Sequence, residues 1–417
     1  MTMRILTGRK FNLLERGIVT ASSEHAQLGR TRLYDGRPSR AYRASDLAAV
    51  QALGVDGSLI TDGTTNFGGF ETWVGSVPVG WTAGTGTVVQ QNSPVYTGSW
   101  SVELPLNQFT SIYRDVVVKS GESINIESAI YGASPFVDCF FVYNPLTHNY
   151  LQANSTWSSA ALGYRQPSGE FWTHTVAAVT VESYAACQSD LVSLRITVGK
   201  FANSPAVFVD HVHIWPRVNF ASIHGHNLDP GVGVELRSSD DAFAAVDTLE
   251  ATFVIVAPSF YALMAAGNPD RRYWRIKIVG ANSAFFEIGE AVIGYAQTPL
   301  QQYENPLEAS SRWDRQVSVT PGGERHVHKR SKWRIRNRVF NYTYYTQAGY
   351  DEGMELFHLR PEGDTYPVVI VPDHDKPTVI HGRLESTFDS SRVWTAVPTF
   401  NDVAVVLSES PFASSAY

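Results

Sequence analysis

The sequence predicts an all-β protein built from several sandwiches, and three observations carry that expectation. Aromatic residues reach 12 % while Met numbers only 4 and charged residues stand at 18 %, a composition that suits pleated, half-buried surfaces better than helices. Short runs alternate apolar and polar residues, as in Ser123-Ile-Asn-Ile-Glu-Ser-Ala-Ile, Val192-Ser-Leu-Arg-Ile-Thr-Val and Tyr273-Trp-Arg-Ile-Lys-Ile-Val. Gly, Pro, Asn and Asp separate these runs, the pattern of antiparallel sandwiches. Helical signals are scarce; the best are 45–53, long enough for two turns at most, and 259–266.

With 417 residues, 43 % of them hydrophobic, the chain has material for two to four cores. Taken in order, residues 1–58 end in strand-poor sequence with nothing nearby to pair against. Residues 217–297 open abruptly on a buried-type strand, Val218-Asn-Phe-Ala-Ser-Ile-His-Gly. The two stretches therefore read as halves of one outer sandwich. The self-contained block 59–216 between them reads as an insertion at an exposed loop, where domains tolerate it. A third β-rich unit spans 298–417 and carries a polar linker, Gln301-Gln-Tyr-Glu-Asn-Pro, near its start.

Several function classes lose ground on simple chemistry. A net charge of −7 argues against a whole-chain nucleic-acid binder, which is normally basic. The opening Met1-Thr-Met-Arg-Ile-Leu-Thr-Gly-Arg-Lys lacks the apolar core of a signal peptide, and no window reaches the ~18 apolar residues of a membrane span. The expectation is synthesis in a cytoplasm, with neither classical export nor membrane insertion. Cys139 and Cys187 cannot make a disulfide framework in a chain this size. They read as buried free thiols, with one structural bridge as the alternative. There is no Gly-x-Ser-x-Gly elbow, no HExxH, no Walker loop and no CxxC pair. Acidic pairs such as Asp240-Asp241 and Asp351-Glu352 fall in turn-like contexts, with nothing to place them across a groove as glycoside hydrolysis requires. The chain is therefore expected not to be an enzyme. Histidines cluster at 211 and 213, 224 and 226, 326 and 328, and 374 and 381. A His-x-His on a strand puts both rings on one face, the geometry of a zinc ligand pair. Three such pairs in separate segments without a nearby cysteine read as ordinary histidines, His224 and His226 included.

The middle block resembles the jelly-roll carbohydrate-binding modules found beside many glycosidases. The matching residues are Gly69-Phe70-Glu71, Val77-Pro78-Val-Gly80-Trp81, Tyr96-Thr-Gly98-Ser-Trp-Ser101-Val-Glu-Leu104 and Phe208-Val-Asp210-His-Val. The resemblance implies a structural Ca2+ held by Glu71 and Asp210, with backbone carbonyls completing the oxygen shell that calcium prefers. It also implies sugar-stacking aromatics; Trp100, Tyr113, Tyr131, Tyr143, Trp157 and Trp172 are the candidates, against the alternative that each is core.

The outer halves resemble a discoidin-like sandwich through Ala21-Ser-Ser-Glu24, Leu33-Tyr-Asp35-Gly36-Arg-Pro38-Ser and Ala41-Tyr-Arg43-Ala. The same resemblance runs through Ile223-His-Gly-His-Asn227-Leu228, Arg272-Tyr-Trp274-Arg-Ile-Lys-Ile and Phe286-Glu-Ile-Gly289-Glu290. The chain departs from that family by carrying the whole jelly-roll block after its first turn. The order of these pieces looks like a minor tail or baseplate protein of a long-tailed bacteriophage. Trp333-Arg-Ile-Arg-Asn-Arg-Val-Phe-Asn-Tyr and Val368-Val-Ile-Val-Pro-Asp373 in the third unit add to that likeness.

The resemblance implies a virion protein released by lysis, assembled with other tail proteins as a homo-oligomer in a ring. Host attachment through a cell-surface glycan fits such a place. A free carbohydrate-binding lectin and a glycan depolymerase are the alternatives. Residues 325–338 hold seven Lys or Arg in fourteen positions. As a strand, Arg334, Arg336 and Arg338 share a face. With Arg330 and Lys332 they read as a docking strip for an acidic neighbouring subunit, where charge sets register. A solvated face and a phosphate grip are the other readings.

Overall fold

The computed structural model describes residues 4–7, 12–34, 41–48, 50–61, 68–106, 109–132, 140–152, 154–160, 169–189, 191–200, 206–256, 259–264, 271–299, 304–319, 325–344, 368–373, 375–376, 379–384, 390–393 and 400–409. The all-β expectation holds: antiparallel strands make up almost all of the regular structure. Two four-residue helices, Leu13–Arg16 and Tyr184–Cys187, and a 3-10 turn at Arg30–Tyr34 are the described exceptions.

Neither expected helix is found among the described residues, and strands take up part of each stretch. Val50–Asp56 alternates exposed and buried residues and pairs on both edges, with Ile18–Ala21 and with Tyr273–Val279. Ser259–Leu263 pairs with Phe220–His226. In both stretches, Ala and Leu favour a helix locally, but ladder hydrogen bonds and a buried face outweigh a propensity of less than about 1 kcal/mol per residue.

Strands from either side of 59–216 build one pair of sheets. Val50–Asp56 is in register with Tyr273–Val279, and Tyr42–Arg43 pairs with Glu287–Gly294. Their apolar faces, including Leu53, Val55, Ile223, Trp274, Ile276 and Ile288, enclose one core. Asn12 stitches the N-terminal helix to this sandwich: its Nδ2 donates to Ala291 O, and its Oδ1 accepts from Ile293 N and Leu14 N.

The block between encloses a separate core. A six-stranded sheet packs on a five-stranded one through Ile112, Val116, Phe140, Val142, Ile196 and Val198 against Val102, Ile124, Ile126, Val209 and Ile214. The N-terminal strand is a correction to the expected division of the chain. Arg4–Thr7 pairs with Val368–Val371, so it extends the C-terminal sheet and not the outer sandwich. An edge strand left open invites pairing, and Arg4–Thr7 covers that of Val368–Val371, becoming the outermost strand of the sheet.

The C-terminal sheet leans on the outer sandwich through Phe220, Val292, Ala296, Val369, Val371 and Val379. Beside that apolar patch lies a buried polar one. His381 Nε2 sits 3.1 Å from Glu290 Oε2, and the His381 and His224 rings are 4.8 Å apart. Burial and the neighbouring His381 hold His224 well below the usual histidine range. Cys187 is a buried free thiol, and Cys139 lies outside the described residues.

Chain crossings between the two sandwiches are pinned by an ion pair. Arg272 Nε and Nη2 each donate to an Asp56 carboxylate oxygen at 2.7 Å, with both side chains largely buried. Replacing Asp56 by Asn leaves the guanidinium buried without its counter-charge, at an expected cost of about 3–5 kcal/mol. Equilibrium denaturation should show it as a lower midpoint; an unchanged midpoint would show that the pair is solvated.

Candidate functional site

Alternation in the six-stranded sheet leaves one face for the core and one for solvent. On the outer face, Asp115 of Thr110–Lys119 stands opposite Arg195 of Leu191–Lys200. Arg195 in turn faces Tyr143 of Phe140–Asn144, and Tyr143 faces Tyr150 of Asn149–Leu151. The result is a straight row across four strands, spanning about 15 Å at the usual ~4.8 Å strand spacing. The next row on the same face runs Thr82, Tyr113, Thr197 and Phe141.

Within the rows the side chains hold one another in place. Arg195 donates to both Asp115 oxygens, at 2.9 and 3.1 Å, and its guanidinium lies 4.3 Å over the Tyr113 ring. The hydrogen bond to Asp115 raises the Arg195 pKa further. Tyr143 and Tyr150 pack with ring centroids 4.7 Å apart, and the Tyr143 hydroxyl shares a 2.8 Å hydrogen bond with His148 Nδ1. A planar cation, a carboxylate and three half-buried phenols thus share one ribbon.

A pocket of about 170 Å³ opens at the end of this ribbon, lined by Phe109, Thr110, Ser111, Phe141, Tyr150, Thr197, Gly199 and Lys200. Gly199 lets its strand close on Ser111, since a Cβ there would fall 2.6 Å from Ser111 Cβ. The Thr110 hydroxyl is buried and has no hydrogen-bond partner among the described residues. A buried polar group of this kind costs free energy until something satisfies it.

The six sugar-stacking candidates separate. Tyr113 and Tyr143 lie on the ribbon. Tyr131 and Trp172 lie on the opposite, five-stranded sheet, with centroids 5.7 Å apart and Tyr96 and Phe208 against them. Trp157 packs against the core and donates to Thr180 O at 2.9 Å. Trp100 is half-buried at the entrance to Ser101–Leu104. Sequence reasoning missed Arg195, Asp115 and Tyr150. Their outward phase in alternating runs was visible; their meeting in one row depends on register.

Glu71 and Asp210 do converge, on the 96–99 loop. Both Tyr96 N and Thr97 N donate to Asp210 Oδ2 at 3.0 Å, His211 N donates to Oδ1 at 2.7 Å, and Ser99 N donates to both Glu71 oxygens. Gly98 has φ +73°, and a Cβ there would lie 1.9 Å from Glu71 Oε1. Burial pushes the Asp210 carboxyl up to about 6 against the pull of these amides, so it is ionised at neutral pH. The amides occupy both lone pairs of Asp210 Oδ2. The four carboxylate oxygens of Glu71 and Asp210 already accept backbone amides, and four is short of the six to eight oxygens calcium takes.

The remaining sequence candidates sit apart from the ribbon. His224 Nε2 meets Ser222 Oγ at 2.8 Å while the His226 ring lies 3.4 Å from Val256 O, so each ring has its own hydrogen bond. Arg330, Lys332, Arg334, Arg336 and Arg338 belong to the strand Arg325–Tyr344, whose side chains lie outside the described residues. Its register with Glu304–Val319 passes from Arg315↔Lys329 to Trp313↔Arg334, so Arg330 and Lys332 fall in a bulge.

No protein-family model and no curated protein matches the chain. Solved structures with a partial likeness include a family 16 carbohydrate-binding module, 19 % identical, covering 33 % of this chain and 90 % of that one at a TM-score of 0.26. Another is the CBM22-1 xylan-binding domain from Paenibacillus barcinonensis Xyn10C, 18 % identical, covering 36 % and 90 % at 0.25. A third is TmCBM61 in complex with β-1,4-galactotriose, 14 % identical, covering 36 % and 94 % at 0.25. Likenesses this slight leave the function to the geometry of the ribbon.

Two substitutions separate the loop anchors. Asp210→Ala strips three amides of their acceptor, for an expected loss of at least about 2 kcal/mol. Hydrogen exchange should quicken at Tyr96 and Thr97 in that variant, and at Ser99 in Glu71→Ala. Unaltered exchange in both would show that other contacts hold the loop.

Proposed function

We propose that this chain is a glycan-binding protein whose contact surface is the ribbon Asp115–Arg195–Tyr143–Tyr150 with Tyr113 and the adjoining pocket. The row itself carries the reading: aromatic faces stand in line with a guanidinium and a carboxylate locked in fixed orientation. A sugar ring offers an apolar face to an aromatic and hydroxyls to planar polar groups, and such sites pair apolar walls with few, well-placed polar atoms. Binding without turnover is part of the proposal. The two rows carry one carboxylate, Asp115, and glycoside hydrolysis uses a facing pair.

A narrower reading places this binding at the tail of a virion, with the C-terminal unit as the anchor. What supports it is the shape of that unit's backbone. Residues 337–339 and 341 of Arg325–Tyr344 pair on both sides, whereas 325–329 and 334–336 pair with Glu304–Val319 alone among the described ladders. The two-stranded part extends about 40 Å at ~3.3 Å per residue. A two-stranded ribbon is marginal by itself and gains stability from a partner surface. Its Lys and Arg residues suit an acidic neighbour in a ring of subunits. Antibody raised to the chain should place immunogold at tail tips in a phage lysate; soluble, monomeric protein with bare particles would leave the free lectin.

Affinity measured against a panel of soluble oligosaccharides tests the ribbon directly. Tyr143→Ala and Arg195→Ala should each weaken binding about tenfold, ~1.4 kcal/mol, with the fold intact by circular dichroism. Binding that survives both but disappears in Trp172→Ala would move the site to the opposite sheet.

A further inference from the structure

On the five-stranded sheet, away from the ribbon, Glu127 and His213 are register partners. The ladder then slips, from Glu127↔His213 to Ala129↔Asp210, so Val207–Pro216 carries one extra residue. Such bulges re-aim side chains. His211 sits in this one with φ +54°, an uncommon region for any residue but glycine. Its ring comes to lie at 85° to that of His213, with centroids 4.5 Å apart.

The three side chains bring their donor atoms together. His211 Nε2 is 3.3 Å from Glu127 Oε2, and one ligand atom from each of the three residues lies within 4.8 Å of the others. Two ligands bound to a tetrahedral ion at ~2.0–2.1 Å stand about 3.4 Å apart, so the His211–Glu127 pair already has that spacing. The third needs a shift of little more than about 1 Å, within the reach of a side-chain rotation.

A second observation is independent of that spacing. Each histidine has a hydroxyl at its Nδ1: Thr97 Oγ1 is 3.2 Å from His211 Nδ1, and Ser58 Oγ is 3.2 Å from His213 Nδ1. Outer hydrogen bonds of this type fix the tautomer and ring orientation of a metal-binding histidine. Burial is graded as well: Glu127 and His213 are buried, whereas the His211 side chain keeps 22 % exposure. Arg272 senses the Glu127 charge, but both Asp56 oxygens already hold its guanidinium.

We infer that Glu127, His211 and His213 form a binding site for a divalent ion of the zinc class, with a fourth position open on the His211 side. Two imidazoles and one carboxylate are a donor set that zinc accepts, and three protein ligands leave one position for water or another group. Ser58 lies on the crossing from the outer sandwich into the inserted block. Thr97 lies on the loop that Asp210 and Glu71 hold. A bound ion therefore ties crossing, loop and two central strands together, and binding to the folded state alone raises stability. The site is independent of the glycan ribbon.

The test uses the full chain stripped with a chelator. Zinc titrated in a calorimeter should bind at one ion per chain and raise Tm. Cobalt(II) should give the intense visible absorption of a tetrahedral site, abolished by added zinc. His211→Ala, at the exposed ligand, should lose the cobalt band and weaken zinc at least tenfold while staying folded. Thr97→Val should keep all three ligands and weaken zinc by about 10–100-fold. Absence of zinc binding by the native chain would overturn the assignment. So would unchanged affinity in both His211→Ala and Glu127→Gln.

Discussion

The Asp56–Arg272 pair stands where the chain leaves one sandwich for the other, and the architecture depends on that crossing. Two connections run side by side there, out through Gly57 and Ser58 and back through Trp215, Pro216 and Arg217. Leu59 N donates to Ile214 O across them, while Gly57 N to Arg272 O and Arg217 N to Ser123 O tie each connection to a neighbouring strand. Arg16 adds an ion pair to Glu122 across the gap. The two apolar cores are separate clusters, so the joint is made by polar contacts. Such contacts are directional and favour one arrangement, whereas apolar burial alone is not directional.

The joint to the C-terminal sheet is built the other way. Phe220, Val292, Val369 and Val371 bury an apolar patch, each large side chain contributing on the order of 1.5–3 kcal/mol. The cost is a polar set enclosed beside it: Glu290, His381 and His224 are all nearly inaccessible. The Glu290 carboxylate and the His381 imidazole lie 3.1 Å apart there, close enough for a charge pair when the ring is protonated. Arg4–Thr7 then crosses to this sheet, so both ends of the chain meet in one unit.

Both candidate sites are products of strand register. On the six-stranded sheet an unbroken ladder lines up Asp115, Arg195, Tyr143 and Tyr150, because partners on adjacent strands share a face. On the five-stranded sheet a broken ladder does the work, and the extra residue turns His211 towards Glu127. A one-residue slip in either sheet would send these side chains to the opposite face.

Much was legible in the sequence for a local reason. Period-2 alternation in Ser123–Gly132, Leu191–Lys200 and Tyr273–Val279 marks half-buried strands whatever they pair with, so the all-β class followed from the residues alone. Tyr113 and Tyr143 stood among six aromatic candidates, each with a core alternative, and Glu71 was linked to Asp210 through the resemblance to jelly-roll carbohydrate-binding modules. Val50–Asp56 and Ser259–Leu263 were misread because their Ala and Leu content is local, while the strands that claim them lie far along the chain. Arg195 could be seen to point outwards, but its partner Asp115 is 80 residues away. The strip from Asp115 to Tyr150, the cluster of Glu127 with His211 and His213, and the return of Arg4–Thr7 to Val368–Val371 were decided by tertiary structure. Each depends on which strand lies beside which, and long-range pairing is set by burial and register across the whole fold, not by any single segment.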